Sequence, residues 1–376
     1  MYFCFFSIST ALYSYYCATF ANMKLHVFNT EHDLALAFGS PFFTPPHAAR
    51  QLRADLGFLP ALMAEDGDIV LVDDVDNAAN QLRHIKGLLP KVHFVTLANL
   101  AKQLRTISQP LDAVCPWGWD AAVCRSLVSA VPSLQGYVPT SEQLDIIRQI
   151  SNRCWAAGHL GNSGVYCTSL ADANRQMESF CEFVLKSPWS CSGRGVRYRR
   201  DDRWVENVIR NQGGIMVEPY YNKVMDFAME FYSDGRGVVS YQGLSLFETV
   251  NGAYKGNLLA SDAEKQKVVG KYIRMEELNE VRRSIINEMT DAIGSFYKGP
   301  FGVDMMVYED RGQIKFARCV ELNLRSTMGH VALALTRRLN PGGTLPHQLM
   351  RVEYDGNHYH LRVLNTRDNA LNTTQL

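Results

Sequence analysis

The chain has 376 residues, 47% of them hydrophobic and 20% charged, and its 38 Lys and Arg equal its 38 Asp and Glu. That length allows two or three domains with cores of their own, and the composition is that of a globular protein rather than a disordered one. Balanced charge provides no overall field to draw nucleic acid or an anionic membrane, so neither is expected as a partner. The nine cysteines are scattered, odd in number and without a C-x-x-C pair. They argue against a disulfide framework or a structural zinc site, and a reducing, cytoplasmic compartment fits them best.

Residues 1–22 are apolar and aromatic with no Lys or Arg, so they lack the positive segment of a secretory signal, and Tyr and Ser interrupt them too often for a membrane span. Met23-Lys24-Leu25-His26-Val27-Phe28-Asn29 leads straight into a first strand. Met23 is therefore read as the natural initiator, and residues 1–22 as an upstream over-call or a disordered leader.

From Lys24 to about Pro139, apolar runs at Leu25–Phe28, Ile69–Val72, His93–Val95 and Ala113–Cys115 alternate with helical patterns, which predicts βαβ units and a parallel sheet. In such sheets ligands gather beyond the carboxyl ends of the strands. The loops there, Asn29-Thr30-Glu31-His32-Asp33 and Pro116-Trp117-Gly118-Trp119-Asp120, offer His32, Asp33, Trp117 and Asp120 for a small-substrate pocket. Packing of the aromatics over a core edge is the plainer alternative. No G-x-G-x-x-G follows the first strand, so a dinucleotide is not expected.

Pro139 marks a boundary, because Thr140 and Gln143 have capping-box spacing ahead of a helix through Leu144, Ile147 and Ile150. A helix near Ser169–Phe180 and strands at Glu182–Lys186 and Val196–Arg199 follow. Lys186 closes an apolar strand and precedes the small-residue run Ser187 to Val196. A cation beside a loop whose backbone N–H groups lie open suits a triphosphate, although the loop is not a Walker A sequence and a Gly-Arg-Gly turn is the simpler reading. Further strands are expected at Ile215–Tyr221, Asp226–Tyr232 and Val238–Phe247. Glu218 and Asp226 suit a nucleoside pocket, one near the base and one accepting from ribose hydroxyls, or else form a surface carboxylate pair. The segment Asn251-Gly252-Ala253-Tyr254-Lys255-Gly256 reads as a substrate-covering loop or plain surface.

A helix near Met275–Phe296 leads to the densest chemistry. In Val320-Glu321-Leu322-Asn323-Leu324-Arg325 strand alternation puts Glu321, Asn323 and Arg325 on one face. In the run from Phe301 to Val307, Asp304 is the only charge, and a hairpin folded at Gly312 brings it opposite or nearly opposite Glu321. Two carboxylates and an amide oxygen form a hard-oxygen set suited to Mg²⁺. A solvated sheet face with an ion pair is the alternative. His330 is either a substrate residue or the start of a helix over Val331–Leu339. A hairpin around Asp355-Gly356 and a frayed tail over 365–376 complete the chain.

Taken in order, Arg153, Lys186 with its glycine-rich loop, Glu218 with Asp226, Asp304, and the run Glu321 to Arg325 resemble the ATP-grasp superfamily of ATP-dependent ligases over about residues 140–340. The resemblance implies an N-terminal parallel-sheet α/β domain (23–139) followed by an ATP-grasp fold of two α+β subdomains, a lid (140–213) and a metal-bearing part (214–350), with a terminal hairpin and tail (351–376). It implies ATP and Mg²⁺, with Mn²⁺ as an alternative metal. Arg153, Lys186, Ser192, Gly193, Gly195, Glu218 and Asp226 would hold the nucleotide, the loop Ser190–Gly195 acting as a lid. Asp304, Glu321 and Asn323 would hold metal, and Arg325 would steady an acyl phosphate. Arg153 stands where many members have Lys, and Asp226 where Glu is commoner. The implied reaction is phosphoryl transfer from ATP to a small-molecule or peptide carboxylate, then attack by an amine or thiol. A small-molecule kinase and a non-catalytic ATP-binding module are the competing classes.

Overall fold

In the computed structural model the described residues are 22–83, 89–190, 195–250, 253–339 and 348–365. The readings made for residues 1–21 and for the tail beyond Asn365 fall outside them.

The first part is a parallel sheet built from β1 (Met23–Val27), β2 (Ile69–Leu71), β3 (His93–Val95) and β4 (Leu111–Pro116), in the order β3-β2-β1-β4. Helices α1 (His32–Phe38), α2 (His47–Leu56), α3 (Val75–Gln81), α4 (Leu97–Thr106) and α5 (Ala121–Ala130) connect and flank it. Both faces are covered, so the strands read as near-continuous apolar runs. Leu25 and Val27 face one core with Val114 and Leu127, while Phe28, Val70 and Val72 face another with Leu56 and Leu59.

α6 (Ser141–Ile150) begins with the expected capping box: the Gln143 N–H donates to Thr140 Oγ1 at 3.3 Å, and Gln143 Oε1 accepts the Thr140 N–H at 2.9 Å. Thr140→Ala is expected to lower stability by about 1 kcal/mol, with Thr140→Ser close to wild type, as read by urea denaturation. α6 and α7 (Arg153–His159) place Ile147, Ile150 and Ala156 in the first core.

A second sheet contains β5 (Val165–Cys167), β6 (Phe183–Lys186), β7 (Val196–Arg197) and β8 (Ile215–Pro219) in the order β5-β8-β6-β7, antiparallel throughout, with α8 (Leu170–Ser179) and α9 (Asp202–Gln212) between its strands. It has a core of its own, with Ala173, Met177, Leu185, Val205, Ile215 and Val217 among its members. Because it includes β8, this sheet runs past the expected division at residue 213.

The largest sheet has seven strands, β9 (Asn222–Asp234), β10 (Val239–Val250), β11 (Ala253–Leu259), β12 (Lys298–Asp310), β13 (Gln313–Asn323), β14 (Gln348–Tyr354) and β15 (Tyr359–Asn365), in the order β13-β12-β9-β10-β11-β14-β15. α10 (Asp262–Val269) and α11 (Met275–Ile293) follow β11, and α12 (Met328–Leu339) follows β13. α11 buries Ile285 and Met289 in one core with Phe227 and Phe231 of β9. α12 sends Val331, Ala332 and Leu335 into the second core of the first sheet, where Leu259 and Met350 also lie. The segment read as a covering loop is strand β11, paired with β10 and β14, and Lys255 makes a 3.9 Å ion pair with Glu248. Gly256 fits because a Cβ there would lie 2.5 Å from the Met350 carbonyl oxygen. Asn251 and Gly252 lie outside the described residues.

The terminal hairpin β14–β15 extends the seven-stranded sheet and returns to α2. There Asp55 accepts the Tyr359 N–H at 2.9 Å, with His358 Nδ1 at 2.8 Å. No helix among the described residues is long and apolar enough to cross a membrane.

Candidate active site

The Asp304–Glu321 hairpin turns at Arg311 and Gly312, both at positive φ (53° and 79°), as a two-residue hairpin turn requires. Close to the turn Asp310 faces Gln313 and Met306 faces Ala317. That register alone would put Asp304 opposite Cys319. A register shift between Asp304 and Met306 intervenes, so Asp304 faces Glu321, Val303 faces Leu322 and Gly302 faces Asn323. A bulge of this kind re-aims side chains where a regular ladder would misplace them.

The second sheet and the seven-stranded sheet meet at a cleft of about 1280 Å³, and Arg153, Lys186, Glu218, Asp226, Asp304, Glu321, Asn323 and Arg325 all line it. The second sheet supplies Lys186 and Glu218, joined by a 2.6 Å ion pair, while Glu218 Oε1 is buried without a hydrogen-bond partner among the described residues. Apolar surface from Phe183, Val184, Val196 and Pro219 lies beside them, with Met305 and Met306 of the large sheet also lining the cleft. Asp226 Oδ2 takes Lys223 Nζ at 2.6 Å and Thr249 Oγ1 at 2.7 Å.

Arg153 is buried at the base of the cleft and spans its sides. Its Nη1 donates to the Ser187 carbonyl at 2.5 Å and to Ser190 Oγ at 2.9 Å, and its Nη2 donates to Glu321 Oε1 at 2.6 Å. Asn323 Nδ2 donates to Asp304 Oδ2 at 3.1 Å. Burial lifts the Asp304 carboxyl well above its ordinary range, and the negative charges of Glu321 and Glu230 add to that effect. Among the described residues no group of three or more His, Cys, Asp and Glu side chains is placed to hold a metal ion. The donor chemistry nevertheless fits Mg²⁺: two carboxylates and an amide face one another, and a divalent cation would relieve the crowding of negative charge at Asp304.

Arg325 is tied to the first domain. Its Nη2 lies 3.0 Å from Asp33 Oδ2, and its Nε donates to the same carboxylate at 3.1 Å. Burial works to raise the Asp33 carboxyl, but the Arg325 guanidinium overrides it and holds the group below its ordinary value. His32, Trp117 and Asp120, offered with Asp33 as a substrate pocket, are buried and do not line the cleft. Trp117 packs edge-on against Phe28 at 4.8 Å, and Asp120 accepts from the Ala122 and Val123 N–H groups at the start of α5 and from Asn29. Of the four, Asp33 reaches the site with its side chain, through Arg325, while the Trp117 carbonyl accepts the N–H of the next residue, Ser326, at 2.6 Å. His330 is an interior joint as well: Nε2 donates to the Phe231 carbonyl at 3.1 Å, and Nδ1 accepts the Thr327 N–H at 3.2 Å.

Of the glycine-rich loop, Ser192 and Gly193 lie outside the described residues. Gly195 forms its neck, where the Gly195 carbonyl accepts the Ser187 N–H at 2.8 Å and a Cβ would lie 2.0 Å from Ser187 Oγ. Glu230, Ser245, Asn257 and Thr327, which stand in no motif of the sequence, also line the cleft. Glu230 carried one signal: it stands four residues after Asp226 in the same strand and so shares its face.

Neither a family model nor a curated protein sequence matches the chain. Solved structures do. A biotin carboxylase from Campylobacter jejuni, in a β,γ-ATP complex, is 12% identical with a TM-score of 0.52, over 90% of this chain and 78% of that one. N5-carboxyaminoimidazole synthetase from Staphylococcus aureus, complexed with ADP, is 13% identical with a TM-score of 0.48, over 88% and 82%. A protein from Archaeoglobus fulgidus ascribed to the ATP-grasp superfamily is 15% identical with a TM-score of 0.48, over 92% and 99%. At such identities the likeness is one of fold, and the first of the three carries it. The chain has the ATP-grasp fold, preceded by a parallel-sheet α/β domain.

Proposed function

We propose that the chain is an ATP-dependent ligase that activates a substrate carboxylate as an acyl phosphate for attack by an amine, or a thiol, with release of ADP and phosphate. The observation that carries this reading is the convergence of cations, carboxylates and an apolar pocket from separate sheets on one cleft. The apolar surface around Val184, Val196 and Met306 suits a nucleobase, with Glu218 at its edge and Asp226 at the ribose. Lys186 and Arg153 lie where phosphates would follow, each now neutralised by a carboxylate that the nucleotide would displace. Asp304, Glu321 and Asn323 would hold Mg²⁺, which when bound neutralises charge on the transferring phosphoryl group. Arg325, oriented by Asp33, faces the same region with its charge fixed in place. Such a reaction is served by positioning and charge more than by a general base.

The test is Mg²⁺-dependent release of ADP from ATP by residues 23–376 against a panel of amino acids, dipeptides and small carboxylates, with hydroxylamine as a general acceptor. A hydroxamate formed together with ADP supports the reading. ADP with a stable phosphorylated product identifies a kinase instead, and nucleotide binding without any turnover identifies a binding module. Lys186→Ala is expected to weaken Mg²⁺-ATP binding tenfold or more, corresponding to loss of a charged hydrogen bond of about 1.5–3 kcal/mol. Calorimetry reads this directly, and an unchanged affinity would remove Lys186 from the nucleotide site.

A further inference from the structure

The proposed chemistry needs a place for the nucleophile, and the end of the cleft beyond Asp304 is lined by groups that the nucleotide and metal assignments leave unused. We propose that Glu230, with Ser245 and Asn257, forms the subsite that receives the N–H-bearing end of the acceptor, an amine rather than a thiol; this rests on the ligase reading.

Position comes first. Asp226 and Glu230 lie on one face of β9, four residues and roughly 13 Å apart along the strand. Asp304 is in register with Ala228, midway between them. The floor of the cleft therefore runs from the candidate ribose contact, past the candidate metal carboxylate, to Glu230. An acyl phosphate formed beside Asp304 and Arg325 would have its carbonyl carbon next to that last group.

The carboxyl is also incompletely satisfied. Glu230 is 1% exposed, and its Oε2 has no hydrogen-bond partner among the described residues. His330 Nδ1 lies 3.1 Å from Oε2 but already accepts the Thr327 N–H, while Nε2 carries the hydrogen given to Phe231. With Glu230 ionised, two acceptors face each other with no hydrogen between them, and the carboxyl closes that gap by holding a proton of its own until a ligand brings one. The nearby cations are committed elsewhere: Arg325 to Asp33, and Lys265 Nζ to the Leu244 carbonyl at 2.9 Å. Burial lifts the Glu230 carboxyl to about 8, against the pull of a Thr327 hydrogen bond and the charges of Arg325 and Lys265. An unfilled acceptor of this kind is costly to bury, and a ligand N–H repairs it.

The surroundings are built around that carboxyl. A Cβ on Gly329 would lie 1.8 Å from Glu230 Oε1, and one on Gly302 would lie 2.5 Å from Oε2, so glycine at both positions lets the backbone close on the group. Tyr254 donates to Asn257 Oδ1 at 2.5 Å, and Asn257 Nδ2 donates to Ser245 Oγ at 2.7 Å. That relay leaves the Ser245 hydroxyl hydrogen without an acceptor among the described residues. A carboxylate or phosphate ligand here would meet Glu230 and Asp304 together, which favours a ligand that donates hydrogens.

Methylammonium serves as the probe, with tetramethylammonium, which has no N–H, as its control. Saturation-transfer NMR on the full chain, with and without Mg²⁺ and a non-hydrolysable ATP analogue, reports binding of each. Methylammonium is expected to bind, tetramethylammonium is not, and Glu230→Met should weaken methylammonium about tenfold while the affinity for the analogue stays unchanged. Equal binding of the two cations, no methylammonium binding, or full binding by the variant overturns the proposal. Should Glu230→Met also lose the analogue, Glu230→Gln, closest in shape, decides on the same criterion. If the wild type fails to bind the analogue while methylammonium still depends on Glu230, the ligase reading falls and the subsite stands.

Discussion

Glu321→Gln and Asn323→Ala are each expected to cut Mg²⁺-dependent ATP turnover about 10³-fold, the size of effect seen when a group that stabilises developing charge is removed. The two substitutions test the same centre differently. Glu321→Gln keeps an oxygen for the Arg153 hydrogen bond but removes the charge a metal ion would need. Asn323→Ala removes both a candidate ligand and the donor to Asp304 at 3.1 Å, leaving the buried Asp304 carboxyl with one fewer partner. Neither change touches an apolar core position, and Arg153 retains its bonds to Ser187 and Ser190 in both. Near-UV circular dichroism should therefore match wild type. Retained turnover in both variants would overturn the metal assignment.

The second large effect is on stability. Asp33→Ala is expected to cost about 3 kcal/mol, because it strands the Arg325 guanidinium inside the junction between the first domain and the large sheet. Asp33→Asn should cost less, since it keeps a hydrogen-bond acceptor. The pH dependence has a definite sign. The folded-state pKa of Asp33 lies below the ordinary 3.8, so the stabilisation is fully present above that value and is lost as pH falls through the lower, folded-state value. Urea titrations of wild type and Asp33→Asn should differ at pH 7 and converge in strong acid. A constant gap down to the acid limit would show that the pair is held by something other than charge.

Much of this arrangement is legible in the sequence where a period and a turn signal coincide. The alternation over Glu321 to Arg325 and the glycine at 312 lead to the observed pairing of Asp304 with Glu321. Even there the reading succeeds for an incomplete reason: the two-residue turn alone gives a different register, and the bulge that restores the pairing leaves no mark in composition. The first sheet is legible because apolar strands alternate with amphipathic helices. Strand β11 is not, because Gly252 and Gly256 look like loop signals, whereas Gly256 is needed for a close approach to β14. Glu230 is hidden for a related reason. A single carboxylate in a strand normally faces water, and only the assembled sheet and α12 show that this one does not.

The distribution of apolar cores has a mechanical consequence. The first domain, α6, α7 and the seven-stranded sheet interlock through two continuous cores, and the terminal hairpin fastens the same bodies again at Asp55. Prising them apart would expose that apolar surface to water, which is heavily opposed. The second sheet carries a self-contained core, and Arg153 and Trp189 meet it at its root, Trp189 Nε1 donating to the Arg148 carbonyl at 3.0 Å. Were a nucleotide to enter the cleft as proposed, the second sheet, which has no share in those two cores, would be the jaw free to yield, with Arg153 at its root. The carboxylates on the large sheet and the guanidinium of Arg325 would then belong to the fixed jaw, and the proposed chemistry would keep its alignment through each opening.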